Sequence, residues 1–112
     1  MSFAEVLAGL PAADDLAVIE LTGPDGETAR VENKPRSQGS MKVYRYLLEK
    51  FGKLDRAAAE AGLIMYAEHS LDARAHPGTH PNIDRLLAII ADGRAWTGRC
   101  VTQGRDGGAA AR

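Results

Sequence analysis

Two prolines, Pro77 and Pro81, constrain the fold of the second half of this chain more than any other feature does. Each follows a histidine, His76 or His80, and the residue before a proline is pushed out of helical geometry toward extended backbone. Pro81 suits the first turn of a helix, where its fixed φ is already helical and no N–H is needed. The sequence therefore predicts a helix that ends near Ala75, a short stiff connection, and a second helix that begins at Pro81.

The longest helical pattern, Lys53–Ala75, precedes this connection, and the second helix is expected to run from Pro81 to about Gly93. Alanines at contact positions of the first pattern predict that another helix approaches closely. Gly62 costs about 1 kcal/mol of helix propensity against alanine, and we interpret it as a sign of the same close packing. The predicted buried stripe consists of Leu54, Ala57, Ala58, Ala61, Ile64 and Met65.

The early part of the chain has the pattern of a β-hairpin. Leu16–Thr22 is rich in aliphatic residues and predicts a strand. The glycines and the proline of residues 23–26 form a strong turn signal, and the alternating pattern of Thr28–Asn33 predicts the returning strand. A final strand at Ala95–Thr102 is expected to join the hairpin, because two strands alone are only marginally stable.

Two further helices are predicted on either side of the hairpin. Ser2–Leu10 begins with the spacing of a capping box, in which the side chains of Ser2 and Glu5 each accept a hydrogen bond from the other residue's backbone N–H. The other helix is expected to be capped by Ser40 and to run to about Phe51.

These elements predict a single α+β domain over residues 1–102. In it, a small antiparallel sheet, made of the N-terminal hairpin plus the C-terminal strand, packs against a layer of helices. Residues 103–112 are rich in glycine and alanine and have no apolar periodicity. We expect them to form a disordered C-terminal tail.

The overall composition argues against several classes of protein. The formal net charge of −1 gives no general attraction to nucleic acid or to an anionic membrane. The basic residues between positions 34 and 56 are interrupted by acidic ones, so we interpret that segment as a solvated face and consider nucleic-acid binding a poor fit. No apolar run approaches the ~20 residues of a membrane span, and no secretory signal is visible. The single cysteine, Cys100, is expected to be a small core residue of a cytoplasmic protein.

All three histidines of the chain lie at or near the proline-containing connection, among acidic residues. On one helix, Glu68, Asp72 and His76 would be spaced four residues apart and would share a face. His69 would lie on the side of Asp72, and the connection could return His80 to the same helix end. We call these five residues the polar junction.

The polar junction allows three interpretations, which the sequence leaves open. Its imidazoles and carboxylates could bind a small molecule or act as general acid and base. Alternatively, His69, Asp72, His76 and His80 could hold one divalent metal such as zinc, manganese or iron, which accept nitrogen and oxygen ligands. In the plainest interpretation, the carboxylates form a solvated helix face, His76 lies at a helix end that favours a cation, and His80 only fixes the next helix.

A second candidate site is residues 36–40, at a predicted helix start. Arg36 and Ser40, with a flexible glycine between them and lysines nearby, would suit a phosphate or carboxylate. The spacing differs from that of a P-loop, so nucleotide hydrolysis is not implied. A simple capped helix start is the alternative.

Several strings of residues carry a resemblance to a known family. They are Ser2-Phe3-x-Glu5, Val31-Glu32-Asn33-Lys34-Pro35, Gly39-Ser40, Gly62-Leu63-x3-Ala67-Glu68-His69 and Pro77-Gly78-x-His80-Pro81-Asn82-Ile83-Asp84. In these strings the chain resembles domain of unknown function 2322, a family of small bacterial proteins, over roughly Ser2 to Val101. The resemblance implies a bacterial cytoplasmic protein. It supplies no activity, cofactor or catalytic residue.

From these features we expect a binding or interaction module that forms a homodimer and carries no cofactor. The dimer is suggested by the alanine-rich helix face and by an exposed sheet edge, which proteins must cover or blunt. The alternative is a small enzyme, or a protein that binds an anionic small molecule or a metal, with the polar junction as its site. The candidate ligand-binding residues are Arg36, Ser40, Glu68, His69 and His80.

Overall fold

The computed structural model describes residues 1–103, and its sheet has the predicted composition. Strand β1 (Leu16–Thr22) pairs antiparallel with β2 (Thr28–Glu32) on one side and with β3 (Thr97–Thr102) on the other, in the order β2-β1-β3. The C-terminal strand therefore joins the hairpin, as predicted. Ile19 is opposite Val31 in one pairing and opposite Cys100 in the other.

The position of β1 in the middle of the sheet follows from its side chains. Leu16, Ile19 and Leu21 are at most 1% exposed, and Val18 on this strand is buried as well. Because neighbouring residues of a strand point to opposite faces, the burial of both Val18 and Ile19 means that both faces of β1 are covered there. On the neighbouring strand, Val31 is buried and belongs to the core.

Five α-helices within residues 1–103 complete an α+β fold in which the helices form a layer against the sheet. The capping box of the first helix is present, since Glu5 N donates to Ser2 Oγ at 3.2 Å and Ser2 N donates to Glu5 Oε1 at 2.8 Å. The last helix begins at Pro81 and ends before Gly93, whose φ of 71° is left-handed, as predicted. The helices are α1 (Phe3–Ala8), α2 (Gln38–Phe51), α3 (Arg56–Tyr66), α4 (Glu68–Ala75) and α5 (Pro81–Asp92), with a 3₁₀ turn at Pro35–Ser37 before α2.

The prediction of one helix over Lys53–Ala75 is wrong, because the chain breaks at Ala67. Ala67 has φ 54° and ψ −120°, a conformation that favours glycine and costs other residues about 1–3 kcal/mol. The buried Ser70 hydroxyl donates to Leu63 O at 2.6 Å and so satisfies a carbonyl near the break. No residue type predicts this break, since alanine is the best helix former.

We expect Ala67→Gly to raise the free energy of unfolding by about 1 kcal/mol. Glycine removes the strain of the positive φ. The free energy gained in this way outweighs the roughly 0.4–1 kcal/mol that glycine costs by increasing the entropy of the unfolded state. Urea denaturation measures the change. The matched control is Ala57→Gly at an exposed position in the first turn of α3, where no positive φ is relieved and glycine should only destabilise. Destabilisation by both variants would contradict strain at Ala67.

The predicted buried stripe of α3 is also partly wrong. Ile64 is 78% exposed and Ala57 is exposed as well, while Ala59 and Leu63, which were not predicted, are buried. The helix is apolar almost all round, so periodicity alone does not orient it. The interpretation of Gly62 is confirmed, because a Cβ there would lie 2.7 Å from Leu86 Cδ1 and 2.9 Å from a methyl group on α2.

Two other expectations concern the C-terminal end. Cys100 is exposed rather than buried, because β3 is an edge strand on which only Gly98 and Val101 are partly covered. The predicted disordered tail, residues 103–112, lies outside the described residues except for Gln103, whose backbone N–H donates to Asp15 O at 2.7 Å. Within residues 1–103, no helix combines the length and the apolar character that crossing a membrane requires.

Candidate functional site

A cavity of about 560 Å³ brings the two candidate stretches of the sequence together. Arg36 and Ser40, from the first stretch, and His69 and His80, from the polar junction, all line it. These are four of the five residues predicted to bind a ligand. The remaining lining residues come from α1, the starts of α2 and α5, the end of α3 and the proline-containing connection, and they are Phe3, Leu7, Gly39, Tyr66, Thr79, Pro81, Asn82 and Ile83.

One wall of the cavity is aromatic. The rings of Phe3 and Tyr66 stack with centroids 5.2 Å apart and an interplanar angle of 22°. The Phe3 ring also meets His69 edge to face, with centroids 5.0 Å apart. Gly39 makes this arrangement possible, since a Cβ there would lie 3.0 Å from Phe3 ring atoms. The absence of a side chain at Gly39 therefore lets α1 lie against the start of α2.

Arg36 supplies the positive charge at the cavity. It lies in the 3₁₀ turn, is exposed, and has no carboxylate within 4.0 Å among residues 1–103. Arg45, by contrast, pairs with Asp15 at 2.7 Å and with Glu49 at 3.2 Å. The Arg36 guanidinium is thus available to an anion in a way that the Arg45 guanidinium is not.

Ser40 does not cap α2, which corrects the sequence prediction. The helix begins at Gln38, and Ser37 occupies the cap position. Ser40 Oγ instead accepts a hydrogen bond of 2.6 Å from the hydroxyl of Tyr66. Burial raises the pKa of Tyr66 well above its usual value, so the phenol stays protonated and donates. Because its oxygen accepts, the Ser40 hydroxyl keeps its own proton available for a ligand.

The connection returns His80 to α4, where it meets Asp72. The Asp72 carboxylate lies between two imidazoles, with Oδ2 2.6 Å from His80 Nε2 and Oδ1 3.1 Å from His76 Nδ1. The hydrogen bond from His80 lowers the pKa of Asp72, with a smaller contribution from His76. The rings of His80 and His69 lie 5.9 Å apart. Asp72 therefore orients a histidine that lines the cavity.

Glu68 and His76 do not line the cavity. Glu68 Oε1 accepts a hydrogen bond of 2.8 Å from the backbone N–H of Phe3, which lowers the pKa of this carboxylate. Its function in the fold is to hold α1 against the body of the domain. The His76 side chain is 64% exposed and contacts only the outer oxygen of Asp72 among the junction residues.

No three His, Cys, Asp or Glu side chains within residues 1–103 are arranged so that they could hold a metal ion together. The four-residue set suggested for zinc, manganese or iron, which is His69, Asp72, His76 and His80, is thus not assembled as a ligand shell in that part of the chain. A carboxylate that bridges two imidazoles is instead the arrangement that orients them by hydrogen bonds.

A partly buried hydrogen-bond network holds Asn82 at the cavity, and Asn82 was not among the predicted site residues. The Tyr44 hydroxyl donates to Asn82 O at 2.5 Å, and Arg85 Nη1 donates to both Tyr44 Oη and Asn82 Oδ1 at 2.9 Å. Burial raises the pKa of Tyr44 to about 12, so its hydroxyl remains a donor. The only sequence signal for this position was the Pro-Asn-Ile-Asp string of the family resemblance.

Phe3 and Leu7 were also missed as site residues. They are apolar residues four positions apart on α1, and this spacing by itself is typical of core packing. They are only partly buried and line the cavity.

A family model described as "Uncharacterized protein conserved in bacteria (DUF2322)" matches residues 3–100. The chain belongs to this family. The resemblance seen in the sequence is thereby confirmed. Neither the curated proteins nor the solved structures give a significant match to the chain. The DUF2322 description names no activity, so function has to be argued from the chemistry of the cavity.

Proposed function

We propose that this protein binds a small organic anion in the cavity. The observation that carries the proposal is that Arg36, which has no carboxylate partner among residues 1–103, opens onto the same space as Ser40 and two imidazoles. A volume of about 560 Å³ is in the range of small-molecule pockets.

The polar side of the cavity fits a carboxylate or a phosphate group. An arginine side chain offers a planar set of N–H donors that can hold either group through two parallel hydrogen bonds. Gly39 and Ser40 lie in the first turn of α2, where the helix dipole favours negative charge. The free Ser40 proton adds a further donor on the same side.

The apolar side of the cavity favours a ligand that has an apolar part as well as a charged group. Phe3, Leu7, Tyr66 and Ile83 line it. Apolar surface removed from water contributes roughly 25 cal/mol per Å². Tyr66 and Ile83 are already buried, but bare phosphate would leave the partly exposed side chains of Phe3 and Leu7 uncovered. The two sides together favour an organic acid with an aromatic or aliphatic body.

Benzoate, a small aromatic carboxylate, is a suitable probe, followed by NMR chemical-shift titration of the labelled protein. We expect Arg36→Ala to weaken benzoate binding about tenfold to a hundredfold, because a hydrogen bond to a charged group contributes roughly 1.5–3 kcal/mol. Shifts should concentrate on residues of the cavity.

The matched control is Arg30→Ala, which removes the same formal charge from an exposed position on β2 outside the cavity. This variant should bind benzoate as the unchanged protein does. Equal weakening by both substitutions would mean that only net charge matters, and shifts outside the cavity would contradict the proposed site.

The homodimer remains a separate prediction, and the observations that support it have changed. Of the alanines on the predicted face, Ala58 is fully buried inside the chain, Ala61 is partly buried and Ala57 is exposed. The outer edges of β2 and β3 still have no strand partner within residues 1–103. Support for a dimer therefore comes from the sheet edge, and the mass in solution decides between monomer and dimer.

A further inference from the structure

We propose that the bound anion also carries a hydrogen-bond donor, such as a hydroxyl group, and that His80 Nδ1 accepts the hydrogen bond from it. The ligand class is then a hydroxylated organic acid, held by Arg36 at its charged group and by His80 at its hydroxyl. This inference rests on the proposed function, because it concerns the same cavity.

The hydrogen bond between Asp72 and His80 determines which imidazole nitrogen can accept. An ionised carboxylate has no proton to donate, so the nitrogen that contacts it must carry the hydrogen. His80 Nε2 lies 2.6 Å from Asp72 Oδ2 and is therefore the donor. In the neutral ring, the other nitrogen, Nδ1, then has a free lone pair.

His80 Nδ1 has no hydrogen-bond partner within residues 1–103. Although His80 precedes the first residue of α5, its side chain does not cap that helix. The next residue is Pro81, which has no N–H to offer. The ring lines the cavity and its side chain is 29% exposed. An acceptor without a protein partner at the wall of a pocket is available to a donor on the ligand.

His76 is the second histidine that contacts Asp72. It occupies the second oxygen of the carboxylate at 3.1 Å, on the outside of the polar junction. The contact of Asp72 with His80 is made by the other oxygen, Oδ2, and does not involve His76. Since His76 does not line the cavity, it offers a matched control for substitutions in this network.

The test compares the affinities of benzoate and of 2-, 3- and 4-hydroxybenzoate, at a pH where the histidines are neutral. The three isomers present the hydroxyl at different distances from the carboxylate. We expect at least one isomer to bind about fivefold or more tightly than benzoate, the gain of one added hydrogen bond. Nitrogen-15 NMR of labelled histidines should identify the Nε2–H tautomer at His80.

Asp72→Asn should remove this preference while benzoate still binds. An amide can donate to Nε2, and the ring then takes the Nδ1–H tautomer, as happens when an orienting aspartate is replaced in this way elsewhere. Nδ1 would become a donor and would no longer accept the ligand's hydroxyl. His76→Gln should leave both the preference and the tautomer of His80 unchanged.

The outcomes separate the two proposals. If benzoate does not bind the unchanged protein, the proposed function fails, and this inference fails with it. If benzoate binds but no isomer is preferred, or if the unchanged protein has the Nδ1–H tautomer at His80, only the inference is overturned. A preference that survives in a folded Asp72→Asn protein would overturn the positioning function of Asp72.

Discussion

Replacing Leu86 with alanine is expected to lower the free energy of unfolding by about 2–5 kcal/mol. Leu86 lies on α5, is 0% exposed, and packs with its methyl groups over Gly62 of α3. Its truncation removes apolar atoms from the core and leaves a cavity that the rigid helix pair can close only in part.

Urea denaturation followed by circular dichroism measures this loss. Leu71→Ala is the matched control, because the same atoms are removed from a side chain that is 68% exposed. That variant should change the free energy of unfolding by no more than about 0.5 kcal/mol. Similar losses in the two variants would contradict the packing of Leu86 against α3.

Gly62→Leu is expected to lower the free energy of unfolding by about 3 kcal/mol through overpacking. The first added atom alone would lie 2.7 Å from Leu86 Cδ1 and 2.9 Å from Leu47 Cδ1, and three more carbon atoms follow it. Leu47 and Leu86 are both fully buried, so neither can turn out to solvent to make room.

Ala57→Leu provides the control for this substitution. Ala57 is exposed on the same helix, and leucine has nearly the helix propensity of alanine, so little change is expected there. In the double variant of Gly62→Leu and Leu86→Ala, the new leucine can occupy the space that Leu86 leaves. Its loss of stability should therefore be smaller than the sum of the two single losses, and strict additivity would contradict the contact.

Interactions between near neighbours in the sequence made much of the fold predictable. The bounds of β1 follow from its aliphatic run and from the turn at residues 23–26, and α5 begins at Pro81 because of its fixed φ. The capping box of Ser2 and Glu5 joins residues three apart. Each of these signals acts within one or two turns of chain, so it can be recognised without knowledge of the tertiary structure.

The break at Ala67 shows where local signals fail. Alanine favours a helix at that position, and only contacts made by the rest of the domain can hold it at a φ of 54°. The prediction of which face of α3 is buried failed for a related reason. Its small apolar residues lie all round the helix, so the shape of α5 and α2 decides which of them are buried.

For the candidate site, too, some features could be predicted from the sequence and others depended on the tertiary structure. The sequence by itself determined which residues have the chemistry for a site, and Arg36, Ser40, His69 and His80 were all recognised from residue type and spacing. Only the tertiary structure decided that these residues line one cavity, that Asp72 orients His80, and that Glu68 accepts a hydrogen bond from the backbone N–H of Phe3. The physical reason is that the sequence around a charged or polar side chain does not identify the group that it contacts in the folded protein. Its function depends on which distant groups the packing of the apolar core brings within hydrogen-bond distance.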